Sequence, residues 1–124
     1  MRATLWVGAG GFLGANARYL IGGLISERWG TAFPLGTLVI NITGSFVLGL
    51  FLAFAEERPW LNPDHRLLFA IGFVGAYTTF STFSYETVRL IQDGAYAFAA
   101  ANVIGSVLLG IIAAFAGLAL GTAL

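Results

Sequence analysis

Four apolar runs fill almost all of this 124-residue chain, each about as long as the roughly 20 helical residues that cross the hydrocarbon of a bilayer. They lie at about residues 4–25, 35–55, 67–92 and 95–123. Ser26-Glu27-Arg28-Trp29 closes the first, Pro34 opens the second, Glu56-Glu57-Arg58-Pro59 ends it, and Gln92-Asp93-Gly94 closes the third. With 58% hydrophobic and 10% charged residues, the chain lacks the polar surface of a soluble domain. The expectation is a single all-α domain over residues 1–124: four transmembrane helices, multi-pass in the cell membrane, with lipid as the surrounding partner. Trp6, Trp29 and Trp60 all fall at expected span ends, where indoles favour the headgroup layer. The first run is too long for a signal-peptide core, and Arg18 interrupts it.

Several function classes drop out. There is no cysteine, hence no disulfide or thiolate metal site. The one histidine, His65, stands beside Asp64 in a polar loop at the expected headgroup level, with no nucleophile–base pairing or metal-ligand spacing around it. An enzyme is not expected. All six basic residues are arginines and form no run, so nucleic acid is not an expected partner. Gly8-Ala9-Gly10-Gly11-Phe12-Leu13-Gly14 resembles a dinucleotide loop only superficially. Leu13 occupies the last required glycine position, and no strand precedes it. Close helix packing explains these glycines better, as it does Gly117-x-x-x-Gly121 and the wider pair Gly105 and Gly110.

Four spans put both termini and the 56–66 loop on one side, carrying Arg2, Arg58 and Arg66, against Arg28 and Arg89 on the other. A bias of about one arginine is weak under the positive-inside rule. Insertion both ways round follows as an expectation, and with it an antiparallel homodimer.

The third run contains what a lipid-facing helix would not: Gly72 and Gly75, five Ser/Thr hydroxyls between Thr78 and Ser84, and Phe80 and Phe83 among them. Polar or irregular backbone at membrane depth is tolerated where protein buries it or an aqueous path wets it. A helix broken near its middle is expected there. On the second run Thr37, Asn41 and Ser45 recur every four residues and share a face. A lone asparagine would serve as an inter-helix hydrogen bond, worth about 0.5–2 kcal/mol; three aligned polar residues point to a wetted track. Asn102, Ser106 and Gly110 make a second such face on the fourth run. Phe80 and Phe83 stand on one side of a helix, and ring edges carry positive potential an anion can meet. Arg18, a fixed charge deep in the first run, either snorkels or stands at a pore mouth, where it would concentrate anions. Glu86 and Arg89, three apart, are expected to pair.

The chain resembles the small bacterial fluoride channels of the Fluc or CrcB family. Three stretches carry the likeness: Gly10-Gly11-Phe12-Leu13-Gly14-Ala15-Asn16-Ala17-Arg18-Tyr19, Gly36-Thr37-Leu38-Val39-Ile40-Asn41-Ile42-Thr43-Gly44-Ser45-Phe46, and Gly72 through Phe83 with its Thr78-Thr79-Phe80-Ser81-Thr82-Phe83. The resemblance implies an antiparallel, dual-topology homodimer that passively exports cytoplasmic fluoride ion through two pores. It implies ring contacts from Phe80 and Phe83 and an amide donor from Asn41. It also implies a polar track, for which Thr37, Thr79, Ser81 and Ser106 are the candidates. Arg18 would belong to the vestibule, and the carbonyls of Gly75 and Thr78 would hold a structural Na+ at the dimer centre. The competing class is a small multidrug-type cation/proton exchanger. It needs an acidic residue in the first span, where this chain has only Arg18.

Overall fold

A computed structural model describes residues 1–124 as all helix, with no strand. Helix α1 covers Arg2–Trp29 and α2 covers Leu35–Glu56. The third segment opens with α3 (Pro63–Arg66), runs on as a π-helical stretch (Leu67–Val74) and α4 (Gly75–Tyr77), and resumes as α5 (Phe80–Gln92). Helix α6 covers Tyr96–Ala123.

Helix ends depart from the ends of the apolar runs for local reasons. Helix α1 carries on through Ser26-Glu27-Arg28, because polar side chains end a hydrophobic stretch without ending a helix; it stops at Gly30, with Pro34 beyond. The third segment starts four residues before the expected Leu67 because Asn62-Pro63-Asp64-His65 is a capping box. The Asn62 side chain accepts from His65 N–H, and His65 Nδ1 accepts from Asn62 N–H. His65 is therefore a helix-capping residue.

Three segments are long and apolar enough to cross a membrane: Leu35–Glu56, Pro63–Gln92 and Tyr96–Ala123. The chain is a multi-pass membrane protein. The sequence suggests a fourth such segment in the first run; α1 has the length, but glycines, Asn16 and Arg18 dilute its apolarity.

Two glycine seams set the packing. Along α1, a Cβ at Gly10 would overlap the Leu68 carbonyl oxygen, and one at Gly14 would overlap that of Phe73. From the opposite side, a Cβ at Gly72 would stand 2.7 Å from Val7 O. Along α2 and α6, Gly117 faces Phe46 O, Gly121 faces Leu50 O, and Gly49 faces Ala114 O. Such close backbone approach is how helices gain dispersion energy where lipid supplies no hydrophobic drive. Gly105 meets nothing within 4 Å and takes no part.

The arginines of one end tie the bundle off. Arg58 donates to Phe54 O (3.0 Å) and Leu124 O (3.0 Å), and Arg66 donates to Ala55 O (2.9 Å). These bonds serve carbonyls in the last turns of helices, where the partial negative charge of the dipole favours a cation. Arg2 pairs with Asp64. Both chain termini thus meet the 56–66 loop at the same end. Only 16 of 124 residues are buried, so the bundle has little interior, and large apolar side chains cover its outside.

Candidate functional site: the polar interruption

Between α4 and α5 the backbone leaves the helix for two residues. Thr78 sits at φ −85°, ψ 157° and Thr79 at φ −149°, ψ 119°, both extended. The residue types favour this local geometry. Threonine is stiff at its β-carbon and a strong N-cap; Thr79 Oγ1 accepts from Thr82 N–H (3.2 Å) and so starts α5. The Thr78 hydroxyl turns back to Val74 O (3.0 Å).

Two helices come in to satisfy the exposed backbone. Asn41 of α2 brackets Thr79, donating from Nδ2 to its carbonyl (2.9 Å) and accepting its N–H at Oδ1 (2.8 Å). Arg18 of α1 donates from Nε to Ala76 O (3.1 Å). The deep charge is thus tied to the interruption rather than only snorkelling. In an unbroken helix Thr79 N–H would serve Gly75 O and Thr82 N–H would serve Thr78 O. Here those donors go to Asn41 and to the Thr79 hydroxyl. The Gly75 and Thr78 carbonyls thereby lose these ladder donors, and Gly75 is exposed. Carbonyls so placed are hard-oxygen donors of the kind a Na+ ion takes. No group of three His, Cys, Asp or Glu residues could hold a metal ion.

Hydroxyls cluster on the α5 side. Thr79 Oγ1 bonds Thr82 Oγ1 (3.0 Å) and lies 3.4 Å from Ser81 Oγ. The Phe80 and Phe83 rings stand 5.8 Å apart, tilted by 47°. Phe80 is 78% exposed and Phe83 half-buried. A cleft of ≈ 440 Å³ is lined in part by Arg18, Thr37, Thr79, Thr82, Glu86 and Arg89. A shallower hollow of ≈ 260 Å³ is lined by Asn41, Gly44, Ser45, Thr78, Thr79 and Phe80, among others. Thr79 borders both hollows, so the residue that Asn41 brackets is the partition between them.

One sequence expectation is corrected. Glu86 does not pair with Arg89: its carboxylate accepts from the Thr37 hydroxyl (2.5 Å), and the one ion pair in the chain is Arg2–Asp64. The i,i+3 spacing counts only neighbours on the same helix, whereas Thr37 reaches across from α2. Ser106 lines neither hollow. Its hydroxyl points to Asn102 Oδ1 (3.4 Å), and Asn102, 1% exposed, donates to Thr87 (3.0 Å). Two further contacts support the interruption. Tyr77 OH meets Thr43 Oγ1 (2.9 Å), and Phe69, Phe73 and Tyr77 stack in a ladder leading to the interruption. The i, i+4 aromatic spacing from Phe69 was the available signal for that ladder.

Residues 5–118 match the family described as "CrcB-like protein, Camphor Resistance (CrcB)". A "Fluoride-specific ion channel FluC" of Koribacter versatilis is 52% identical over 106 residues, 86% of this chain and 84% of the relative. One of the same name from Acidobacterium capsulatum is 50% identical over 117 residues, 94% of each chain. Another from Geotalea uraniireducens is 41% identical over 124 residues, the whole of both.

Proposed function

This chain belongs to the CrcB family, and from that premise we propose how its residues carry out fluoride conduction. It is a fluoride-specific ion channel in the membrane, not an enzyme. The working unit we propose is an antiparallel, dual-topology homodimer in the cell membrane with two pores. The thin bundle, the extensive apolar exterior and the near-balance of arginines between the two ends support it.

The observation that carries the proposed path is the bracketed residue Thr79 between two hollows. Fluoride is small and strongly hydrated, so a selective route must replace water with several donors yet bind each ion weakly enough to release it. Asn41 spends one amide N–H on Thr79 and keeps the second for the ion. Thr37, Thr79 and Ser81 supply hydroxyls, and the exposed Phe80 ring with Phe83 supplies positive ring edges. Arg18 and Arg89 at the larger cleft raise the local anion concentration. Ser106 joins this route only if its hydroxyl turns away from Asn102. Two copies packed head to tail would bring their interruptions together at mid-depth, where the carbonyls of Gly75 and Thr78 would hold a structural Na+.

Passive conduction suffices for export. Neutral HF crosses the bilayer and dissociates inside, and a negative-inside potential drives the anion out. An exchanger finds no support: α1 carries Arg18 and no acidic residue before Glu27, and Glu86 is engaged by Thr37. The test is efflux from liposomes containing the purified chain, comparing fluoride with chloride, for the wild type and Phe80→Ile. Fluoride efflux without chloride efflux, lost in a Phe80→Ile variant that still assembles, is the expected result. Equal passage of both halides, or full flux in Phe80→Ile, overturns the path.

A further inference from the structure

At the end of the bundle that carries the 56–66 loop, an apolar hollow of ≈ 290 Å³ opens to the outside. Its wall is Val47, Leu50, Phe51 and Phe54 of α2, with Phe69 of the π-helical stretch and Leu124 beside them. The four α2 residues are spaced three and four apart, so one face of that helix forms most of the wall. The Phe51 and Phe69 rings meet there at 4.6 Å. Every lining residue is hydrophobic and none is fully buried. Such a wall has nothing for a metal or a bare anion, but an alkyl chain finds dispersion contacts along it.

Two cations stand at the rim. Arg58 Cζ lies 3.6 Å from the centre of the Phe54 ring, and Arg58 donates to Phe54 O and Leu124 O, which fastens it to two of the wall residues. Arg66 donates to Ala55 O, the next carbonyl along α2. These bonds leave most of the guanidinium N–H groups unspent. Neither arginine pairs with an acidic side chain: the one ion pair is Arg2–Asp64, and the exposed Glu56 and Glu57 bond neither. Seating on Phe54 fixes the Arg58 plane, and a planar fork of donors matches a phosphate. Trp60, two residues beyond Arg58 and 66% exposed, marks the headgroup level.

We propose that this end of the chain holds one anionic phospholipid, its phosphate on Arg58 and Arg66 and an acyl chain laid in the hollow beneath Phe54. A membrane offers alkyl chains everywhere, and exchanging one alkyl contact for another gains no hydrophobic energy. Charge therefore selects the occupant. Two guanidinium groups without acidic partners favour a headgroup of net negative charge over a zwitterion, whose choline brings another cation beside them. The site is separate from the ion path, since none of its residues lines either hollow that meets at Thr79.

The test counts the lipids that the full-length chain retains in native mass spectra. Phosphatidylglycerol or phosphatidylcholine of identical acyl chains is added at equal concentration, and only variants that elute as the wild type does are compared. The wild type should retain phosphatidylglycerol about fivefold better, roughly what one arginine supplies near an anionic surface. Arg58→Gln and Arg66→Gln each keep a donor for the α2 carbonyl and lose the charge; each should lower that preference, and the two together should abolish it. Val47→Trp fills the hollow and leaves the arginines, so retention of both lipids should fall; Leu124→Trp, at an exposed position, takes its place if Val47→Trp does not fold. Equal retention of the two lipids by the wild type overturns the proposal. So does a preference that survives the double variant, or retention unmoved by a filled hollow. Inorganic phosphate that raises the melting temperature as far as phosphatidylglycerol does would make the ligand a free anion and overturn it as well. If a tryptophan variant instead separates paired copies, a second copy of the chain covers this face and no lipid does.

Discussion

The α1 glycine seam and the polar interruption sit side by side on the third segment, yet they are held by opposite means. At the seam, α1 meets the π-helical stretch backbone to backbone, and the essential property of Gly10, Gly14 and Gly72 is that nothing projects from them. At the interruption, side chains from two other helices reach in to replace lost ladder bonds: Asn41 on Thr79 and Arg18 on Ala76. The first region tolerates no added atom and asks for no chemistry. The second tolerates changes of shape but not the loss of a donor or acceptor. A thin membrane bundle needs both: steric seams to fix the helices, and polar brackets to hold open a stretch of backbone that lipid would otherwise force back into a helix.

The largest effect should come from closing the seam. Gly10→Ala places a methyl on the Leu68 carbonyl, where only backbone could yield, so a loss of about 3 kcal/mol or more is expected. The control is Gly8→Ala, two residues away on the same helix with nothing within 4 Å of the new atom. It should be neutral or gain up to about 1 kcal/mol from helix propensity. Thermal unfolding in detergent distinguishes them; equal stability of the two variants would break the comparison on its steric side.

A smaller loss is expected at the bracket. Asn41→Leu keeps nearly the same volume but strands the N–H and C=O of Thr79, at about 1–2 kcal/mol for each of these half-buried groups. Unfolding measurements should show about 2–4 kcal/mol lost in all, with fluoride efflux down at least about tenfold. If efflux fails while stability is unchanged, Asn41 acts on the ion alone and the bracket contributes nothing.

The two regions were unequally visible from the sequence. Apolar runs announce helices, and small residues four apart announced the seams at Gly10 and Gly14 and at Gly117 and Gly121. Gly105, of the wider pair with Gly110, faces open space, because spacing says nothing of which side a neighbour occupies. The stripe Thr37, Asn41 and Ser45 was legible as a shared face, but its partners were not. Glu86 and Thr79 lie 49 and 38 residues away from theirs in sequence, and only the packing of α2 against the third segment brings them in. That is also why the sequence assigns Glu86 to Arg89, its nearest opposite charge on the same helix. The inward turn of Ser106 depends on Asn102 being buried, which periodicity alone does not reveal.

Arg18 offers the smallest and sharpest test, because it belongs to both regions: its helix forms the seam, and its Nε serves the interruption. Two contributions can be separated by substitution. Arg18→Gln keeps a donor for Ala76 O and removes the charge; Arg18→Leu removes both. Losing the bond from a charged, half-buried donor should cost about 1–2 kcal/mol, so only the leucine variant is expected to melt measurably lower. Losing the charge should slow fluoride entry through the cleft a few-fold at low salt. Since the Debye length shrinks from about 30 Å at 0.01 M to about 3 Å at 1 M, that deficit should fade as salt rises, equally in both variants. A deficit in Arg18→Gln that persists at 1 M salt would mean the guanidinium acts by contact, and that its charge has no part in gathering the ion.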